Sequence, residues 1–567
     1  MIVVIALAGV AIGCDREQQE EREGEVQLDE TEPEAERIVS AYSGLEDVDP
    51  IEPADVGPEG PAIYFLSSLK GYTEPCGCTV DVMLGGIDRI TAYAMDARAL
   101  HPAAHLVDAG DWIFETREVP EYMEPQERAK AEVIAAAHRK MGTLLSVPGA
   151  RDLALGPGFY QEMMEAAGMT ALGANLRLDG QALQGGLVEE LQGAKVLYVG
   201  AGDPAIYEEI QGAQATAERA AIEGVMQEHP ADVVVLVYQG SQFRAASRVE
   251  ELDGVDFVIV GQDPQLDDDA VEVGGARIVQ AFDQGRYMGR IKLYNAAEEG
   301  AFVDGRAGAR PQRELIDQQI ERVRRDLRRL EVRAGGEHTP MADTLQERLE
   351  GLEERRRQLL REAIEIPDQG RAFLYEPVAM EPGYRLDEEI YDRRMEFNRS
   401  LAELNAHIER EVIPVEEGEP FFIGTNECAT CHVEAHQFWT ETSHASAVAT
   451  LENRHKQFDQ NCIGCHVVGW EQPGGSVLGK IEYDAELNGH SFRKDLNNVG
   501  CESCHGAGSN HRLNPLNEHG NPQHIERFPT EESCAQCHVP DHSPTFDFGV
   551  YVERITGDGH ELRSGRP

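Results

Sequence analysis

Two cysteines three positions apart, with a histidine directly after the second, recur four times. The copies are Cys428-Ala-Thr-Cys431-His432, Cys462-Ile-Gly-Cys465-His466, Cys501-Glu-Ser-Cys504-His505 and Cys534-Ala-Gln-Cys537-His538. Two thiols at this spacing can add to the two vinyl groups on one edge of a porphyrin. The next residue then folds under the ring and offers an imidazole nitrogen to the iron. The pattern is that of covalent c-type haem attachment. One copy would also suit a redox dithiol or half of a zinc site. Four copies with histidine in the same place predict four haem c groups, with His432, His466, His505 and His538 as proximal iron ligands.

A sixth ligand on each iron has to come from elsewhere. The region after Pro420 holds 13 of the 19 histidines. Outside the motifs these are His436, His444, His455, His490, His511, His519, His524, His542 and His560. An iron held between two histidines has no open position and only passes electrons. An iron with one protein ligand can also bind and reduce a small molecule, and axial ligands and burial set its potential.

Three further cysteines remain: Cys14, Cys76 and Cys78. Cys76 and Cys78 lie in Glu74-Pro75-Cys76-Gly77-Cys78. A disulfide across one residue closes a small strained ring, and strained disulfides are the labile ones. Two thiolates are equally good soft-metal ligands. Structural pair, redox pair and soft-metal site all stay open. Cys14 ends the apolar run MIVVIALAGVAIGC. That run is too short for a bilayer of about 30 Å, which takes about 20 residues. Ala11-Ile12-Gly13-Cys14 resembles a bacterial lipobox. Residues 1–13 then form a lipoprotein-type signal peptide and Cys14 carries the lipid. The plainer reading is an ordinary export signal. Haem attachment of this type takes place outside the cytoplasm, so the expected location is the bacterial cell envelope, on the periplasmic side or outer surface, lipid-anchored.

The elements that must position these groups follow from composition along the 567 residues. Net charge is −51, from 102 acidic and 51 basic residues. Nucleic acid is thereby excluded as a partner, because phosphate binding needs a basic face. The acidity suits solubility, or docking of a basic redox partner. From Asp15 to Gly60 there are 17 acidic and three basic residues. Such a segment buries too little apolar surface to fold, so residues 14–60 read as a tether. Residues 61–308 alternate Val- and Ile-rich runs (AIYFLSS, AHLVDAGD, LLSVPGA, AKVLYVGAG, ADVVVLVYQ, VDFVIVGQ, ARIVQAF) with helical stretches such as 126–141 and 215–229. This predicts a layered α/β domain. Residues 309–365 predict an antiparallel helical hairpin broken at AGGEHTP, with solvated Arg-rich faces. A closing strand and a helix over about 387–413 fill 366–418. Residues 419–567 have few apolar runs and would make a poor core alone. Porphyrins would supply the missing bulk, giving short helices and irregular chain wrapped on haem.

Two resemblances follow from these motifs. The C-terminal region resembles the cytochrome c-554 family of tetrahaem cytochromes. The carrying residues are Phe438-Trp439-x-x-x-Ser443-His444-Ala445 after the first motif and Gly469 with Pro473-Gly474-Gly475 after the second. Val499 to His511 around the third and Cys534–His538 complete the set. The resemblance implies electron transfer with periplasmic redox partners. It implies His444 and His511 as distal ligands, with His524 and His542 as further choices. In that family one haem commonly lacks a distal protein ligand. The α/β segment resembles the calcineurin-like metallophosphatases, near 5′-nucleotidases and thiosulfohydrolases. The family's metal-ligand motifs fall on Ser68-Leu69-Lys70, Gly110-Asp111, Gly149-Ala150-Arg151-Asp152, Gln239 and Gly261-Gln262-Asp263-Pro264. Two-metal hydrolysis needs ligands from several loops around cations about 3.5–4 Å apart. One surviving aspartate, with Lys70 and Arg151 where cations belong, predicts a fold kept without that chemistry, since fold alone does not license function.

The multidomain fold class is therefore a metallophosphatase-like α/β domain with a helical hairpin and a mostly α or irregular multihaem domain. The expected function is an envelope-anchored tetrahaem electron carrier with no catalytic residues of its own. The alternative is a reductase of a small nitrogen, sulfur or chalcogen oxyanion, at an open haem or at Cys76/Cys78.

Overall fold

The computed structural model describes residues 51, 58–76, 83–262, 266, 269–334, 339–405, 410–519, 522–539, 542–543, 546–557 and 560. The signal segment, Cys14, nearly all of the tether and Cys78 lie outside them.

The Val- and Ile-rich runs become strands because β-branched side chains suit a pleated, two-sided buried surface. They form two sheets. The first runs Val303–Asp304, Ala372–Ala379, Tyr287–Tyr294, Ala62–Leu66, His105–Asp108, Leu145–Ser146, Thr170–Ala171. The second runs Val271–Val273, Ala276–Val279, Phe257–Val260, Val233–Gln239, Ala194–Gly202, Gly186–Leu191. Ala62–Leu66 pairs in parallel with His105–Asp108 and antiparallel with Tyr287–Tyr294. In the second sheet Val233–Gln239 lies parallel to strands on both sides.

One core cluster joins Phe65, Val107 and Leu145 of the first sheet to Val196, Val235 and Ile259 of the second, so the sheets face each other. Helices Ile87–Leu100, Glu124–Met141, Gly156–Ala167 and Glu388–Leu404 add Ile90, Ile134, Tyr160 and Phe397 to that core. Helices Glu218–Glu228 and Gln242–Val249 cover the second sheet through Ile222, Ala245 and Val249, packed with Leu197, Leu236 and Val258. The result is helix, sheet, sheet, helix. Each fully buried Val or Ile contributes about 1.5–3 kcal/mol.

The hairpin helices are Arg310–Ala334 and Pro340–Glu362, joined through Ile316, Ile320, Val323 and Leu352. Cross-helix pairs Arg356–Asp317 at 2.6 Å and Arg324–Glu353 at 2.9 Å decorate the faces. Arg313 ties the base to Asp269. The strand Ala372–Ala379 belongs to the first sheet, paired along its length with Tyr287–Tyr294. The following helix ends at Leu404 rather than continuing to 413. Asn405 stops it: its amide turns back to Gln126 Oε1 at 3.0 Å and to the Phe458 carbonyl at 2.8 Å.

The C-terminal region is short helices and loops, with one addition that sequence patterning did not suggest. Glu482–Leu487 and His490–Asp495 form an antiparallel hairpin around Asn488-Gly489, both at positive φ. The first strand alternates polar with apolar residues, Tyr483, Ala485 and Leu487 being its half-buried side, but only over six residues and without a fully buried position. The described residues of the α/β domain, the helical hairpin and the C-terminal region form one compact unit.

Candidate functional site: four thiol–imidazole turns and an old metal centre

Each motif adopts a short helical turn. Thr425–Ala429, Ile463–His466, Cys501–His505 and Glu531–Ala535 carry or adjoin the four copies. Residues three and four apart share one helix face, so both thiols and the histidine emerge together. The fourth turn is fixed by a capping box between Thr530 and Ser533.

The histidines meet in pairs. The ring centres of His432 and His511 are 6.3 Å apart, those of His444 and His538 6.2 Å, and those of His505 and His560 6.5 Å. Two imidazoles on opposite sides of one metal, at metal–nitrogen distances of about 2 Å, need ring centres about 6 Å apart. His560 is the residue that sequence reasoning missed. It was one of nine available histidines, and nothing nearby in the chain marks it. His524 is exposed, one residue beyond Gln523. His542 lies near enough to His466 to lower its proton affinity, and its ring centre is 6.0 Å from that of Tyr72.

Second partners orient several of these rings. His466 Nδ1 meets the Ala447 carbonyl at 2.6 Å, His505 Nδ1 the Glu526 carbonyl at 2.7 Å, and His511 Nδ1 the Gln523 carbonyl at 2.9 Å. A carbonyl only accepts, so Nδ1 carries the proton and Nε2 keeps its lone pair for a metal. His538 Nδ1 contacts Ser543 Oγ at 3.0 Å. Burial lowers the proton affinity of His432, His444, His466 and His538, which keeps them in the neutral, ligating form. The donor set therefore fits haem iron.

The motifs abut in an order that differs from the chain order. The helical turns of the first and third motifs pack together, as do those of the third and fourth, and the Cys465 and Cys537 thiols are near enough to shift each other's proton affinity. The sequence of neighbours is first, third, fourth, second motif. Glu502, inside the third motif, fixes the first beside it. Its buried carboxylate accepts the backbone N–H groups of Ile423, Gly424 and Gly508 at 2.7–3.0 Å.

The second motif is set against the α/β domain by a buried polar network. Asp459 accepts from Gln126 Nε2 at 2.8 Å and pairs with Lys456 at 3.0 Å; Asn461 donates to Glu127 at 2.7 Å. Glu74 accepts from Arg394 at 2.5 Å and Asn398 at 2.9 Å, and Asn398 also donates to the Arg454 carbonyl at 3.0 Å. Though burial opposes ionisation, Arg394 and its neighbours hold the Glu74 carboxyl at about 2. Cys76 follows in a short strand and pairs with Leu84.

Tyr72, whose ring centre is 6.0 Å from that of His542, leads from this side into loops that carry a set of ion pairs. Lys70 bridges to Asp283 at 2.5 Å, and Arg286 holds the other oxygen of Asp283 at 2.5 Å. Arg151 Nη1 and Gln262 Nε2 both reach Asp111 Oδ2 at 3.1 Å. Asp152 accepts four backbone N–H groups, from Asp111, Trp112, Ile113 and Gly149. A Cβ on Gly110 would run into the Val147 carbonyl and the Gln239 amide. The ammonium of Lys70 and the guanidinium of Arg151 thus take the carboxylates that a metal pair would need. Among the described residues no cluster of three or more His, Cys, Asp or Glu could hold a metal ion. The residues do not fit a two-metal hydrolase.

Fold and site together describe an αββα sandwich joined to a C-terminal segment of four Cys-x-x-Cys-His turns. Residues 427–506 match the family described as cytochrome c554 and c-prime. The C-terminal region is similar to cytochrome c-554 of Nitrosomonas europaea, 30% identical over 146 residues, 21% of this chain and 57% of that protein. The chain thus spans little more than half the length of that relative. Among solved structures, the 5′-nucleotidase precursor of Thermus thermophilus aligns with a TM-score of 0.41 and 12% identity, covering 77% of this chain and 88% of that one. Sulfate thiohydrolase SoxB of Thermus thermophilus aligns with a TM-score of 0.38 and 17% identity, covering 42% and 55%. Among the described residues no helix is long and apolar enough to cross a membrane.

Proposed function

We propose that this chain is a tetrahaem electron carrier of the cell envelope, fused to an α/β domain that does not hydrolyse phosphate esters. The observation that carries this reading is the set of three imidazole pairs at 6.2–6.5 Å, each joining a motif histidine to one outside the motifs. Haem c held by the eight motif cysteines would supply a one-electron couple at each site. The chain's own residues do the rest. His432, His505 and His538 face His511, His560 and His444. The carbonyls of Ala447, Glu526 and Gln523 hold three of the imidazoles in one tautomer. The neighbour order first, third, fourth, second gives a continuous path that ends against the α/β domain. A lipid at Cys14 and the acidic tether would keep this unit at a membrane surface, where basic redox proteins are its natural partners.

The test is the purified holoprotein from a host that matures c-type cytochromes. Four added masses of roughly 0.6 kDa each are expected, with low-spin spectra for the paired sites. Fewer than four additions, or a chain that carries none, overturns the reading. In stopped flow, the reduced protein should be reoxidised by another cytochrome. Faster reoxidation by nitrite or sulfite would favour the second reading, oxyanion reduction, which the old metal-centre loops against the second motif support.

A further inference from the structure

The loops and strand ends where the two sheets meet hold polar groups that the salt bridges above leave unused. Gln284 is 1% exposed and neither atom of its amide finds a partner among the described residues. Gln239 is fully buried and its Oε1 is equally unmatched, although Nε2 donates to the Ala109 carbonyl at 2.6 Å. Arg286 spends Nη2 on Asp283 and lies over the Phe282 ring, yet its Nε has no acceptor. A buried polar atom without a partner costs about 1–3 kcal/mol. Three such side chains at these strand ends point to a partner that the described residues do not supply.

The charges give its sign. Among the described residues Lys70, Arg151 and Arg286 face the carboxylates of Asp111 and Asp283, three cations against two anions. Asp108 Oδ1 and Asp152 accept from backbone and Ser146 donors, Asp108 Oδ2 has no partner, and burial raises the proton affinity of both carboxyls toward the neutral form. Glu115 lies on the side of the second motif, where the Tyr72 hydroxyl donates to it at 3.1 Å. Five non-glycine residues here hold a left-handed backbone, with φ of 45–57°: Ser68, Lys70, Asp111, Phe282 and Gln284. Strain of this kind costs of order 1–3 kcal/mol per residue and persists where the surroundings over-determine it.

We propose that these loops bind one small inorganic oxyanion, of the size of sulfite or sulfate, with Lys70, Arg151 and Arg286 as its cationic partners and the Gln239 and Gln284 amides as its polar walls. The site would sit beside the second motif, because Tyr72 and Glu115 join its rim to His542 and to the Cys462 and Cys465 thiols. Its relevance to electron transfer rests on the reading of that motif as a haem carrier; binding itself does not.

Oxidised holoprotein is titrated calorimetrically with sulfite and, as an anion that does not ligate haem iron, with sulfate. A dissociation constant of about 1 mM or tighter for at least one anion is expected, weakened about tenfold or more by Lys70→Met or Arg151→Gln. No heat with either anion, or unchanged affinity in both variants, overturns the proposal. If the variants do not fold, the wild-type melting temperature decides. A rise with sodium sulfate beyond that with sodium chloride at equal ionic strength, saturating at about 10 mM, supports the site; equal rises overturn it. A protein with its full haem complement that ignores both anions sinks this site alone. A protein without haem that still binds them sinks the carrier reading alone.

Discussion

The imidazoles of His505 and His560 lie 6.5 Å apart, centre to centre, although the second belongs to the last described stretch of chain. The helix Phe548–Ile555 brings His560 there. It packs against the hairpin helix Arg310–Ala334 and lays Tyr551 over Phe546 and His538. The hairpin therefore helps to close a site distant from it in sequence.

On the proposed pairing, removing His560 should open one iron. His560→Ala is expected to convert one haem in four from low-spin to high-spin and to make that haem bind carbon monoxide, read by absorbance and electron paramagnetic resonance. An unchanged spin state would show that another group ligates opposite His505.

The third motif should depend on its own glutamate. Glu502→Leu leaves three buried backbone N–H groups without their acceptor, each worth about 1–3 kcal/mol. A loss of about 3 kcal/mol or more in denaturant unfolding is expected. Glu502→Gln should lose less, because its carbonyl oxygen still accepts.

Docking of the second motif should depend on Asp459. Its removal leaves Lys456 buried without its nearest carboxylate, a cost of about 3–5 kcal/mol for a broken buried pair. Asp459→Ala should make residues 406–462 a protease target while the αββα sandwich stays resistant. A digestion pattern like that of the wild type would refute the network's role.

Acid should weaken the α/β domain through His138. Its ring is fully buried against Trp112, at 5.0 Å between centres, with Nδ1 3.0 Å from Thr143 Oγ1. Burial lowers its pKa from the ordinary 6.5 to about 3. Between these values the unfolded chain takes up a proton that the fold refuses. Stability is therefore full above pH 6.5 and falls with acidification, by up to about 1.4 kcal/mol per pH unit from this group. His138→Phe should flatten the stability profile between pH 4 and pH 6, measured by denaturant unfolding.

Some of this was legible in one dimension. The thiol–imidazole motifs are local, since a helical turn places residues three and four apart on one face whatever surrounds it. The strands were equally plain, because Val-rich runs such as Val233–Gln239 have no stable home except a buried sheet. The length of the helix after Asp387 and the Glu482–Asp495 hairpin did not show. Contacts with Gln126 and Phe458 end the first, and the second alternates over only six half-exposed residues a strand, too short a run to stand out among loops.

The amino-acid order by itself determined which side chains can bond covalently to a cofactor, because that chemistry needs only neighbours along one turn. Only the tertiary structure decided which histidine faces which, and that the second motif rests on the α/β domain through Gln126 and Glu127. Those relations join residues tens to hundreds of positions apart. Such pairings are selected by packing and burial in three dimensions, where free energy depends on the whole core and local spacing carries no trace of the partner.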